Sequence, residues 1–129
     1  MELDLKELSL LAILAGGILY MVYGGIYYSI MLGKKKDAQF TQSEGPLKYI
    51  VSVIIAFISS FIMSVLTEAT GANTLVDGLM IGAMIGVMIS LVYFKNSLFG
   101  LMTKKAFLIA IGDHLVIFTL LGGVHGILS

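Results

Sequence analysis

Few residues in this sequence can carry chemistry, and the most suggestive stand together near its end. Asp113 and His114 are adjacent in a stretch, 106–128, whose only other titratable residue is His125. A carboxyl group beside an imidazole can share a proton, serve as acid and base, or hydrogen-bond a neighbouring helix. His125 follows His114 by eleven residues, so on a helix the two imidazoles share a face, with Phe118 and Leu121 between them. Asp113 then points about 100° away. A separation of about 16 Å keeps the histidines from ligating one metal ion. His125 lies near the end of its segment and is expected to snorkel toward the interface. Tyr27 and Tyr28, with Tyr20 and Tyr23, cluster in the first apolar segment. They fit an aromatic belt at the headgroups, or the lining of a polar cavity. Glu68 and Asp77 flank a short polar stretch with Asn73, where helix capping is expected ahead of a cation site. No nucleophile elbow, zinc-protease helix, phosphate loop or dinucleotide fingerprint occurs. Pairing His114 with a serine of the second segment as an intramembrane enzyme has no support in the spacing. The expectation is therefore no enzyme, no metal and no cofactor.

Composition narrows the setting. Of 129 residues, 58% are hydrophobic and only 12% charged, and mean hydropathy is +1.00, where a soluble domain carries about 25% charged residues. This excludes a soluble globular domain and a disordered chain. Eight lysines and no arginine balance eight acids, so there is no net field for a polyanion, and no nucleic-acid partner is expected. Without cysteine there is no disulfide framework and no thiolate. The first seven residues are acidic overall, which does not suit a cleaved signal peptide and favours a retained first span.

Four apolar runs must position the polar residues: about 8–32, 47–67, 75–94 and 106–128. Each approaches the ~20 residues that a helix needs to cross the bilayer. Backbone groups in lipid must pair internally, so each run is expected to be a helix. The fold class is then all-α, a single-domain integral membrane four-helix bundle over 1–129. Lys34, Lys35, Lys36 and Lys48 precede the uncharged part of the second run, which begins at Tyr49. Lys95, Lys104 and Lys105 lie between the third and fourth, and the 68–76 connection has none. The positive-inside rule then sets both termini outside the cytoplasmic membrane. Asp113 and His114 fall roughly 12–14 Å along the fourth helix, near the midplane of the bilayer. Pro46 suits the first turn of the second helix, and Thr74-x-x-Asp77 resembles a capping box for the third. Leu98, Phe99, Leu101 and Met102 among the lysines suggest an interfacial segment.

Small residues recur at four-residue spacing: Gly78, Gly82, Gly86 and Ser90 in the third run; Ser52, Ala56, Ser60 and Ser64 in the second. Such ridges let another backbone approach closely. The first helix has a Gly/Tyr face for protein (Gly16, Gly17, Gly24 and the tyrosines) and an aliphatic face for lipid. Packing within the chain is the plainer reading; a homo-oligomer interface is the sharper one.

Four stretches resemble one known family: Gly24-Gly25-Ile26-Tyr27-Tyr28-Ser29, Leu75-Val76-Asp77-Gly78-Leu79, Asn96-Ser97-Leu98-Phe99, and Asp113-His114-Leu115-Val116 followed by Gly122-Gly123. Together they resemble the small bacterial and archaeal membrane proteins grouped as domain of unknown function family 1761. Ile30 stands where that family usually has proline. The resemblance implies four spans over nearly the whole chain, and singles out Tyr28, Asp77, Asn96 and His114. It implies no activity. The expectation is a non-enzymatic oligomeric bundle, embedded in the lipid bilayer, that binds a lipid, an unidentified small molecule or a partner protein. The alternative is a proton-linked small transporter or channel using Asp113 and His114.

Overall fold

The computed structural model describes residues 8–32 and 46–128. Lys6 and Lys34–Lys36, which carry part of the orientation argument, lie outside the described residues. Four helices follow one another: α1 Leu10–Leu32, α2 Leu47–Thr70, α3 Leu75–Leu98 and α4 Lys104–Leu128. At 23 to 25 residues each, they extend about 35–37 Å, enough to cross a 30 Å hydrocarbon core.

Local chemistry sets the helix ends. Ser9 Oγ accepts from the Ala12 N–H at 3.1 Å, Thr74 Oγ1 from Asp77 N–H at 3.1 Å, and Thr103 Oγ1 from Ala106 N–H at 3.0 Å. Each hydroxyl satisfies a first-turn donor that has no partner within the helix. Pro46 sits at the N-cap of α2, one place earlier than expected, and its carbonyl accepts from Tyr49 and Ile50. Two glycines close the other ends. Gly71 has φ 73° and Gly100 has φ 79°, a backbone region that glycine enters without a Cβ penalty. At the end of α2, Ala72 N–H reaches Thr67 O and Gly71 N–H reaches Glu68 O. At the end of α3, Leu101 N–H reaches Asn96 O and Gly100 N–H reaches Ser97 O. Both are Schellman closures.

The third helix runs four residues past the expected end at Phe94, and α4 starts two residues before Ala106. A lysine marks the edge of the hydrocarbon but does not stop a helix. Lys95 near the C-terminus of α3 suits the negative end of the helix dipole. The connection is thereby reduced to residues 99–103, a tight turn that displays Leu98, Phe99 and Leu101 at 71–77% exposure.

Helices α3 and α4 form the most extensive pair, α1 packs on α2 and α4, and α1 scarcely meets α3. Gly78, Gly82 and Gly86 are buried against the α4 backbone. A Cβ on Gly78 would collide with the Gly122 carbonyl, and one on Gly82 with the Phe118 carbonyl. The α3 glycines thus meet α4 within the chain, where close backbone approach gains dispersion contacts that lipid cannot match.

Packing along α2 is one-sided. Its buried residues are Ala56, Ser60, Met63, Ser64 and Thr67, while residues 50–55 are all exposed. Six consecutive helical residues point in every direction around the axis, so none of the other described helices covers this half of α2. The bundle is closed at the end nearer the 71–74 turn and forked at the other.

Candidate functional site

The polar groups lie along α4, between α1 and α3. Helix α1 runs antiparallel to α4; Tyr20, Tyr23 and Tyr27 follow at three- and four-residue steps and Tyr28 comes next, so the four fall within about 140° of the helix circumference. Tyr23 Oη donates to Gly112 O at 3.1 Å, Tyr27 Oη to Ile109 O at 2.7 Å, and Tyr28 Oη to Asp113 Oδ2 at 2.5 Å. The hydroxyls of Tyr23, Tyr27 and Tyr28 therefore turn inward onto α4. The physical reason is that a helix carbonyl has a second lone pair, and Gly112 leaves room for the approaching ring: a Cβ there would meet the Tyr27 hydroxyl. Tyr27 and Tyr28 also meet edge to face at 5.4 Å, and Tyr23 stacks on Tyr27 at 5.7 Å.

Asp113 is only 6% exposed. Its hydrogen-bond partner is Tyr28. The ~100° step along α4 turns His114 away toward α3. There the imidazole lies 5.3 Å from the Tyr93 ring and 6.2 Å from that of Phe118. His114 Nε2 is 3.4 Å from Tyr93 Oη, and Nδ1 is 3.8 Å from Asp113 Oδ2. The latter distance is too long for a hydrogen bond; it leaves the ring within electrostatic reach of the carboxyl group. Tyr28, Asp113, His114 and Tyr93 thus form a run of polar groups across three helices at the level of the fork.

His125 departs from the snorkelling expectation. It is fully buried, at 0% exposure, where α1, α2 and α4 meet. Its Nε2 lies 2.9 Å from Ser60 Oγ, and Ser60 Oγ donates to Ile13 O at 2.8 Å. A serine has one proton to give. With that proton on the Ile13 carbonyl, His125 must donate from Nε2, and Nδ1 is left as a bare lone pair without a partner. Gly16 makes the room: a Cβ there would lie 2.5 Å from Ser60 Oγ and 3.1 Å from His125 Nε2. The imidazole is held inside by this niche, and so cannot reach the interface.

The remaining sites stay apart. Asp77 is exposed in the first turn of α3, where Thr74 caps its backbone N–H. Asn96 lies in the last turn, half-buried, its carbonyl closing the helix. Their nineteen-residue separation is about 28 Å of helix, so they cannot act together, and Asp77 is at the end of the bundle away from the fork. Ser60 and Ser64 are buried on the inward face of α2. Among the described residues no three of His, Cys, Asp or Glu gather as metal ligands. The sequence reading overlooked Tyr93, Gly112 and the Ser60–His125 contact. A lone tyrosine in an otherwise aliphatic run was the available signal for Tyr93. Nothing local marks the partnership of residues 65 positions apart.

Four helices, each long and apolar enough to cross a membrane, with polar side chains directed between them, define a small multi-pass α-helical membrane protein. More particularly, the chain belongs to the family described as Protein of unknown function (DUF1761), whose model matches residues 11–126. The match takes in every residue of the run from Tyr28 to His114. Neither a curated protein nor a solved structure matches the chain.

Proposed function

We propose that this is a non-enzymatic protein of the cytoplasmic membrane that binds a membrane-soluble small molecule at the fork and associates with further copies of itself. The observation that carries the reading is Asp113: an acid 6% exposed, hydrogen-bonded from another helix, at the level where α2 leaves the bundle uncovered. An intramembrane acid is expensive, at about 2.5 kcal/mol or more on insertion scales, and commonly marks a ligand or ion path. The non-enzymatic reading is supported at Ser60, whose proton is committed to a backbone carbonyl, so His125 does not activate it as a nucleophile. Self-association is supported by the uncovered half of α2, since the glycines of α3 are taken up by α4; its outward side would meet a second copy while the side facing the fork stays open. The lysine bias supports loops 33–48 and 95–105 in the cytoplasm and both termini outside.

The test is binding and assembly by wild type and Asp113→Asn in mild detergent, read by native mass spectrometry against an extract of membrane lipids. The reading expects an adduct on the wild type that the variant loses while its oligomer persists. An unfolded Asp113→Asn and an unfolded His114→Gln would instead make the pair purely structural.

One observation favours a second reading, proton-linked transport: His114 Nδ1 stands 3.8 Å from Asp113 Oδ2. Proteoliposomes with an internal pH dye and an imposed potassium diffusion potential would show proton entry that Asp113→Asn abolishes.

A further inference from the structure

We propose that the fork takes a lipophilic organic cation, its positive charge set against the Asp113 carboxylate and its apolar groups against the tyrosine rings. The inference rests on reading the fork as a binding site and adds the chemical class of the occupant.

Charge is the first argument. No lysine or arginine occurs within 8–32, 49–94 or 106–128. Among the described residues, the carboxyl group of Asp113 therefore has no permanent cation at its depth. Tyr28 supplies a hydrogen-bond donor but no charge, and His114 at 3.8 Å is a neutral ring unless protonated. An anionic ligand would meet a carboxyl group with nothing to offset it. A neutral ligand would leave the acid as it is.

The surroundings are the second argument. Tyr23, Tyr27 and Tyr28 form a contiguous aromatic group on α1, with Tyr23 stacked on Tyr27 and Tyr28 edge-on to it. Tyr20 continues it to Phe118 at 6.1 Å, and Phe118 reaches His114. The electron-rich faces of such rings attract cations, most strongly where water is excluded. A small ion such as ammonium or sodium sheds its water at great cost on entering this depth. A cation whose charge is spread over, or shielded by, apolar groups loses little hydration and brings its own affinity for the hydrocarbon.

Access is the third argument. Residues 50–55 of α2 are exposed around the whole helix, and α1 scarcely meets α3. A bulky apolar ion can thus reach the tyrosine group laterally.

Tetraphenylphosphonium and its uncharged relative triphenylphosphine oxide are the probes. Saturable binding to purified, folded protein in detergent would be measured for wild type, Asp113→Asn, Asp113→Glu and Val76→Ala, an exposed position in the first turn of α3 at the closed end of the bundle. The proposal expects tetraphenylphosphonium to bind the wild type and Val76→Ala at least tenfold more tightly than the oxide. Asp113→Asn should lose at least tenfold for the cation alone, and Asp113→Glu should recover part of it. If Asp113→Asn does not fold, the contrast between the two probes on the wild type decides. Equal binding of cation and oxide, with both lost in Tyr28→Ala, would overturn the cation class and leave a small-molecule site standing. No saturable binding of either probe would overturn both the class and the site.

Discussion

The phenol of Tyr28 donates to the carboxylate of Asp113 at 2.5 Å, joining residues 85 positions apart and tying the first helix to the last. The remaining α1–α4 hydrogen bonds, from Tyr23 and Tyr27, end on backbone carbonyls. Of these three tyrosines, Tyr28 is the one that meets a group able to change its charge, so its contact links α1–α4 packing to protonation.

Removing that hydroxyl should cost more than changing the acid. Tyr28→Phe leaves a buried acceptor without its donor, an expected loss of about 1–3 kcal/mol. Asp113→Asn retains an oxygen that accepts from Tyr28 and should cost less. Unfolding in detergent with rising denaturant measures both, and the reverse order would show that the contact is incidental to folding.

The α3–α4 approach is set by backbone and cannot yield cheaply. Gly82→Ala places a methyl against the Phe118 carbonyl, whereas Gly24 has nothing within 4 Å of a Cβ. Forcing apart a packed contact costs about 1–3 kcal/mol, so Gly82→Ala should lower the thermal midpoint clearly while Gly24→Ala leaves it nearly unchanged. Equal midpoints would contradict the packing.

At the closed end, Ser60 and His125 should be energetically coupled. Ser60→Ala strands the Nε2 donor in a dry niche, and His125→Phe strands the serine oxygen as acceptor. A double-mutant cycle should give an interaction energy of about 0.5–3 kcal/mol. Strict additivity would show that the 2.9 Å contact contributes nothing.

The absence of cysteine makes topology directly measurable. Thr70→Cys, exposed at the last residue of α2, is expected to react with an impermeant thiol reagent added to intact cells. Thr103→Cys, exposed on the opposite side, should react only after the membrane is breached. The converse pattern would invert the orientation.

Much of the fold was legible because the bilayer leaves so few choices. Uncharged runs had to be helices, and the four-residue spacing of Gly78, Gly82 and Gly86 marked a face that could approach another backbone. The helix ends were less legible: Lys95 continues α3, and Ser9 and Thr103 act as caps that only their place before apolar runs could suggest. For the candidate site, the sequence showed which residues were unusual but not their partners. Asp113 and His114 stood out by depth, while the donor on Tyr28 and the ring of Tyr93 depended on how α1 and α3 register against α4. His125 misled because nearness to a helix end was taken as nearness to water; Gly16 and Ser60 hold it inside.

The stretch 50–55 of α2 is exposed around the helix, and in a bilayer such a gap would be filled by acyl chains of the adjoining leaflet. If the fork holds a small molecule as proposed, that molecule would arrive by two-dimensional diffusion within the leaflet, and occupancy would follow its partition into lipid. Its concentration in water would matter only through that partition, and a change of lipid composition would retune binding without altering a single side chain.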